Sequence, residues 1–190
     1  MKIGVLALQG AVAEHMRMIE MAGAEAVAIK KVEQLDEIQG IIIPGGESTA
    51  ISKLMNKYGF IDALIDFSNK KKPVFGTCAG LILIAKEING TDTVHLGLMD
   101  TKVERNAFGR QKESFEVDLE IKGIAEDFRA VFIRAPYIME VFRGEVLATF
   151  EDKIVAARDG HLLATAFHPE LTLDPRIHRY FVEMVKEYQS

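Results

Sequence analysis

The chain holds one cysteine, Cys78, and a glycine stands two residues to each side of it in Gly76-Thr77-Cys78-Ala79-Gly80. An apolar stretch, Pro73-Val74-Phe75, leads in, and a longer apolar stretch with helical character leads out. Small residues flanking a nucleophile mark a tight strand-to-helix turn, which leaves no room for larger side chains. Such a turn holds the thiol above the carboxyl edge of a sheet, where open α/β sheets bind ligands. The start of the following helix would stabilise a thiolate and could hold an oxyanion, with the Ala79 N–H as donor. A lone cysteine is by default a small buried hydrophobe. The two glycines and the junction shift the reading to a nucleophile.

A cysteine nucleophile needs a base, and the base needs a group that orients it. His168-Pro169-Glu170 offers both. A residue before proline is pushed toward extended geometry, and in an extended segment side chains two apart share a side. His168 and Glu170 are therefore expected side by side, the carboxylate fixing the imidazole tautomer. The other histidines have weaker cases: His15 and His178 fall in helical patterns, and His95 and His161 lie near turns. A second glycine turn, Gly45-Gly46, ends the apolar run Ile41-Ile42-Ile43. Glycines there permit backbone conformations closed to other residues, and an N–H from this turn could be a second oxyanion donor.

These segments need a frame, and the hydrophobic pattern supplies one. Residues 2–8 form a short continuous apolar run, as expected of a parallel strand covered on both faces. Residues 11–23 follow with helical spacing, 24–31 and 40–46 read as strands, and 48–72 as a helix capped by Ser48 or Thr49. Residues 73–77 are a fourth strand and 79–88 a helix. This alternation predicts an α/β fold: a doubly wound, mostly parallel sheet with helices on both faces. The second half differs. Residues 114–121 alternate strictly between apolar and acidic side chains, which predicts a half-exposed antiparallel strand. More strands follow at 130–136, 145–150, 153–160 and 161–170, and residues 176–189 form a closing amphipathic helix.

With 190 residues, 48% of them hydrophobic, the chain has enough apolar side chains for a sizeable core. A net charge of −5 and the lack of a basic run argue against nucleic acid as a partner. The apolar start is too short to span a bilayer and carries no cleavage pattern, so a cytoplasmic protein without a membrane partner is expected. One cysteine excludes an internal disulfide and a multi-cysteine metal site.

The three glycine- and histidine-bearing segments together resemble class I glutamine amidotransferases, whose flavodoxin-like glutaminase domains carry a Cys-His-Glu triad. More closely, the chain is similar to the PdxT family, glutaminase subunits of pyridoxal phosphate synthase. GTCAG and HPE are general to the class. LQGA, VERNAFGRQ and FIRAP, at 8–11, 103–111 and 132–136, are specific to the family. The chain departs from the usual pattern at Ala50, Leu173 and Pro175.

The resemblance implies one glutaminase domain over residues 1–190, with Cys78 as nucleophile and His168 and Glu170 as relay. It implies an oxyanion hole from Ala79 and Gly46, and L-glutamine contacts from Gly46, Glu47, Ser48, Arg105, Ile133 and Arg134. Free glutamine carries an ammonium and a carboxylate, so an acid such as Glu47 and a base such as Arg105 suit it. The implied reaction is hydrolysis of glutamine through a cysteine thioester. Ammonia passes to a PdxS-type synthase subunit for vitamin B6 synthesis, and no metal or bound cofactor is needed. The family further implies a chain nearly inactive until that subunit binds. Two rivals share features: the glutaminase of another amidotransferase, such as that of histidine biosynthesis, and a DJ-1-type redox or stress protein. LQGA and VERNAFGRQ stand against the first, and the HPE pair against the second. A non-catalytic binding module is disfavoured by the complete triad.

Overall fold

The computed structural model describes residues 1–106, 108 and 113–189. In the first half, strands and helices alternate as β1 (Lys2–Leu6), α1 (Val12–Met21), β2 (Glu25–Ile29) and, after a 3-10 turn, β3 (Gly40–Ile43). Helices α2 (Ser48–Lys57) and α3 (Phe60–Asn69) follow, then β4 (Val74–Thr77) and α4 (Ala79–Ile84). The second half runs β5 (Ala85–Ile88), β6 (Met99–Glu104), β7 (Ser114–Ile121), β8 (Ala125–Ile133) and β9 (Tyr137–Val141). It ends with β10 (Glu145–Phe150), β11 (Lys153–Asp159), β12 (Leu162–Thr165), a 3-10 turn over Pro169–Leu171 and α5 (Arg176–Gln189). Among the described residues no helix is long and apolar enough to cross a membrane.

One ten-stranded sheet orders the strands β2-β1-β3-β4-β12-β11-β9-β6-β5, with β10 on β11. From β2 to β12 every pairing is parallel; β11 and β9 introduce the antiparallel part, and β5 pairs parallel with β6. β3, β4 and β12 are buried along their whole length, which explains their unbroken apolar runs. β7 and β8 form a separate antiparallel ribbon. In β7 the acidic positions are exposed and Leu119 and Ile121 are buried, as the alternation requires. Helix α5 lays Ile177, Phe181, Val182, Met184 and Val185 into the core, with Phe181 5.5 Å from Phe75.

Two expected helices differ. The span 48–72 is broken between Lys57 and Phe60, where Gly59 takes φ 78°. A left-handed glycine just past a helix end closes it, and the second helix starts afresh. The span 79–88 is helical only to Ile84; Ala85–Ile88 pairs with β6. All six residues of α4 are buried, so its apolar run carries no periodicity to separate helix from strand. Lys86 and Glu87 point outward while Ala85 and Ile88 are buried.

Candidate active site

The register of three adjacent strands decides where the site lies. Thr77 at the end of β4 pairs with Thr165 at the end of β12, and Ile43 at the end of β3 pairs with Gly76. The chain leaves these ends as Cys78, as Ala166-Phe167-His168, and as Pro44-Gly45-Gly46. Cys78 adopts φ 53° and ψ −103°, a conformation unusual for a side chain and costing on the order of 1–3 kcal/mol. Its N–H donates to the Thr165 carbonyl at 2.9 Å, which ties the turn to β12. A methyl group on Gly76 would lie 2.5 Å from the Gly80 carbonyl oxygen, and one on Gly80 would overlap the Ile43 carbonyl. Both glycines are there for close approach. Because α4 has only six residues, its dipole is smaller than the longer expected helix would supply.

His168 is held by its own N–H, which donates to the Val131 carbonyl at 2.8 Å. Its Nδ1 lies 2.5 Å from Glu170 Oε1, so the two side chains are adjacent as expected. The route to that adjacency differs. Pro169–Leu171 is a 3-10 turn rather than an extended segment, and it brings the fully buried Glu170 back to the Nδ1 edge of the ring. Burial pulls the His168 pKa down. Hydrogen bonds and charge from Cys78 and Glu170 outweigh that and raise it to about 10. Gly45 and Gly46 do not use the left-handed backbone that glycine permits. Neither has a positive φ. A methyl group on Gly45 would overlap the His168 ring and come within 3.4 Å of Cys78 Cβ, so this glycine lets three chain segments meet.

Gly46, Glu47, Ser48, Cys78, Ala79, Arg105 and Arg134 line one open cavity of about 320 Å³, with Ile82, Asn106 and Pro136. Ile133 is not in that lining; its carbonyl lies 3.9 Å from the Cys78 sulfur, which donates toward it. Glu47, not Ser48 or Thr49, caps α2. Its carboxylate accepts from the Thr49 N–H at 3.1 Å and the Ala50 N–H at 2.6 Å. Those two bonds, with a smaller contribution from Arg105, lower its pKa. Ser48 is buried, and its hydroxyl accepts from the Arg105 guanidinium at 2.9 Å. Arg134 has φ 45°, and its N–H donates to the Glu113 carbonyl at 2.6 Å. Ala107, Gly109, Arg110 and Gln111 of the VERNAFGRQ stretch lie outside the described residues. Leu173 is 78% exposed on the loop beyond Glu170. Among the described residues no three His, Cys, Asp or Glu side chains converge as a metal site requires.

Two neighbours escaped sequence reasoning. Gln9 accepts from the Glu47 N–H at 2.9 Å, and the Ala11 N–H donates to the Gly45 carbonyl at 3.0 Å, so the loop after β1 braces the glycine turn. The only signal for this was the place of Gln9 in the LQGA stretch. His15, on α1, is fully buried, with Nε2 3.3 Å from Glu170 Oε2. Its place on the inner face of an amphipathic helix made it look like packing.

Residues 5–187 match the SNO glutamine amidotransferase family. Similar proteins include the pyridoxal 5'-phosphate synthase subunit PdxT of Brevibacillus brevis, 68% identical over all of both chains. That of Anoxybacillus flavithermus is 65% identical, over 98% of this chain and 97% of its own. A crystal structure of a glutamine amidotransferase superposes with a TM-score of 0.92 at 49% identity, covering 97% of this chain and 98% of that one. The structure of PurLQS from Thermotoga maritima shares the fold at TM-score 0.73 and 13% identity, covering 100% of this chain and 98% of that one.

Proposed function

The chain belongs to the SNO glutamine amidotransferase family, and on that premise we propose that it is the glutaminase subunit of a pyridoxal 5'-phosphate synthase, working as one domain over residues 1–190. One observation carries the reading. Cys78, His168 and the Gly45-Gly46 turn leave the ends of three adjacent strands, with Glu170 hydrogen-bonded behind His168.

The chemistry is acyl transfer from the side-chain amide of glutamine. His168 takes the Cys78 proton, and the thiolate attacks the amide carbon. The raised pKa of His168 keeps that proton on the ring until the leaving group needs it. The oxyanion is met by the N–H groups of Ala79 and Gly46. The carbon–nitrogen bond breaks, His168 protonates the departing ammonia, and a thioester remains on Cys78. Water, activated by His168, cleaves it to glutamate. Glu170 holds the imidazole tautomer and offsets its charge. Arg105 and Arg134 give the cavity two cations for the substrate α-carboxylate. The Glu47 carboxylate is partly engaged by α2, so its remaining lone pairs face the substrate ammonium. Ammonia passes to a PdxS-type synthase subunit. That protects it from protonation by water, which would remove its nucleophilic lone pair.

The test is glutamate release from L-glutamine by the chain together with the synthase subunit. Wild type is expected to turn over, and Cys78→Ala to show none while keeping its circular dichroism spectrum. Substantial turnover by the purified Cys78→Ala protein would end the assignment.

A further inference from the structure

The relay does not end at Glu170. Glu170 Oε1 is satisfied by His168, while Oε2 is buried with no well-aligned hydrogen bond. The donor beside it is His15 Nε2 at 3.3 Å, shared with Thr77 Oγ1 at 3.1 Å. On the other side of the same ring, His15 Nδ1 lies 2.9 Å from His178 Nε2 on α5. His15 is wholly buried and His178 is 1% exposed.

The contacts along this row define one proton arrangement that serves the carboxylate. An ionised carboxylate only accepts, whereas Thr77 Oγ1 can donate or accept, so the tautomer with Nε2–H is the one that sets a His15 donor beside Oε2. A neutral imidazole with Nε2–H has a bare Nδ1, which must accept. The group facing Nδ1 is His178 Nε2, so that nitrogen donates. His178 Nδ1 is then a bare lone pair, and it is indeed buried without a partner. With His178 in this tautomer, a protonated His15 would set two N–H groups against each other at 2.9 Å. Burial also lowers both rings, His178 to about 3. In that arrangement the row has one direction: His178 donates to His15, His15 offers its Nε2–H to Thr77 and the Glu170 edge, and Glu170 accepts from His168.

We propose that His15 is a positioning residue for the glutaminase, steadying the buried Glu170 carboxylate, and that His178 fixes the tautomer in which it can do so. The inference rests on the glutaminase reading. A structural histidine pair would only fill space between α1 and α5. The pair here instead places a donor, shared with Thr77 Oγ1, within 3.3 Å of the carboxylate that orients the base.

The experiment is steady-state glutamine hydrolysis by the complex with the synthase subunit, for wild type, His15→Leu, His15→Gln and His178→Leu. Inactive wild type would overturn the function; an active wild type isolates the present question. His15→Leu is expected to lower kcat about tenfold with KM within about twofold, the pattern of a lost outer partner. Its acid limb of kcat against pH should move up by about half a unit, because a carboxylate relieved of its second donor holds the His168 proton more tightly. The titratable groups facing that pair are Cys78, His15 and, one ring further, His178. His15→Gln keeps an N–H near the Nε2 position and should restore most of kcat. His178→Leu leaves His15 free to take either tautomer, and about threefold loss is expected. A folded His15→Leu protein with kcat within about twofold of wild type and an unmoved limb would overturn the proposal. Equal losses in the Leu and Gln variants would also overturn it, since packing alone would then explain them. If His15→Leu does not fold, an unchanged kcat in His178→Leu overturns it.

Discussion

At the scale of single residues, the proposed relay separates the group that moves a proton from the group that holds it in place. His168→Ala removes the proposed proton carrier, whereas Glu170→Gln keeps a side chain of the same shape that can still touch Nδ1. Glu170→Gln is therefore expected to retain more glutaminase activity than His168→Ala, and parallel kcat measurements decide it. Equal activity of Glu170→Gln and wild type would remove the carboxylate from the relay. Gly45→Ala is a sharper steric probe. Its methyl group would overlap the His168 ring and press on Cys78 Cβ. Loss of activity of at least about a hundredfold is expected, because a misplacement near 1 Å costs that much. A normal turnover rate would show that His168 can move aside without cost.

At the scale of elements, strand ends and glycine turns place the chemistry, and two glycines test different physics. Gly59 lies in the left-handed region with nothing near a would-be methyl, so Gly59→Ala pays only for conformation. Destabilisation of about 1–2 kcal/mol is expected by urea unfolding, with glutaminase activity intact. Gly80 has ordinary φ but abuts the Ile43 carbonyl. Gly80→Ala must therefore push α4 away from β3, and Cys78 moves with it. It should lose activity as well as stability. Similar activity in both variants would mean that the elbow tolerates displacement.

At the scale of the whole molecule, buried histidines give stability a defined pH dependence. In the unfolded chain each takes up a proton near pH 6.5. His15 and His178 stay neutral when folded, both lowered by burial first, His178 to about 3. Below about pH 6.5 the unfolded chain binds more protons, so stability falls as pH drops toward 3. His168 acts in the opposite sense. Its folded pKa is raised to about 10, so its stabilising contribution is complete below about 6.5 and is lost as pH rises toward 10. Melting temperature against pH should therefore peak near neutrality, and His178→Leu should flatten the acid side. An unchanged acid slope in that variant would rule out His178 as its source. Partner binding is the other whole-molecule property. The Gly45-Gly46 turn is braced by the loop after β1, through Gln9 and Ala11. On the proposed mechanism, contact at this exposed edge can set the direction of the Gly46 oxyanion donor, worth on the order of 10²–10³ in rate. Glutamate release by the chain alone is expected to be far slower than with saturating synthase subunit, and rates agreeing within about twofold would refute this.

The sequence by itself determined the local chemistry. A cysteine between Gly76 and Gly80, a histidine two residues from Glu170, and buried parallel strands could all be read in chain order, because each depends on near neighbours. Strict alternation likewise identified β7. Only the tertiary structure decided what depends on distant pairing. The fully apolar α4 run concealed where helix gives way to β5, since a segment buried on all sides has no period. The pairing of β12 beside β4 brings His168 over Cys78. The packing of α1 against the 3-10 turn and α5 carries His15 and His178 to Glu170. On an amphipathic helix a buried histidine has the same spacing as a buried leucine. Its partner's identity, not its spacing, gives it a role, and that partner is set by the fold.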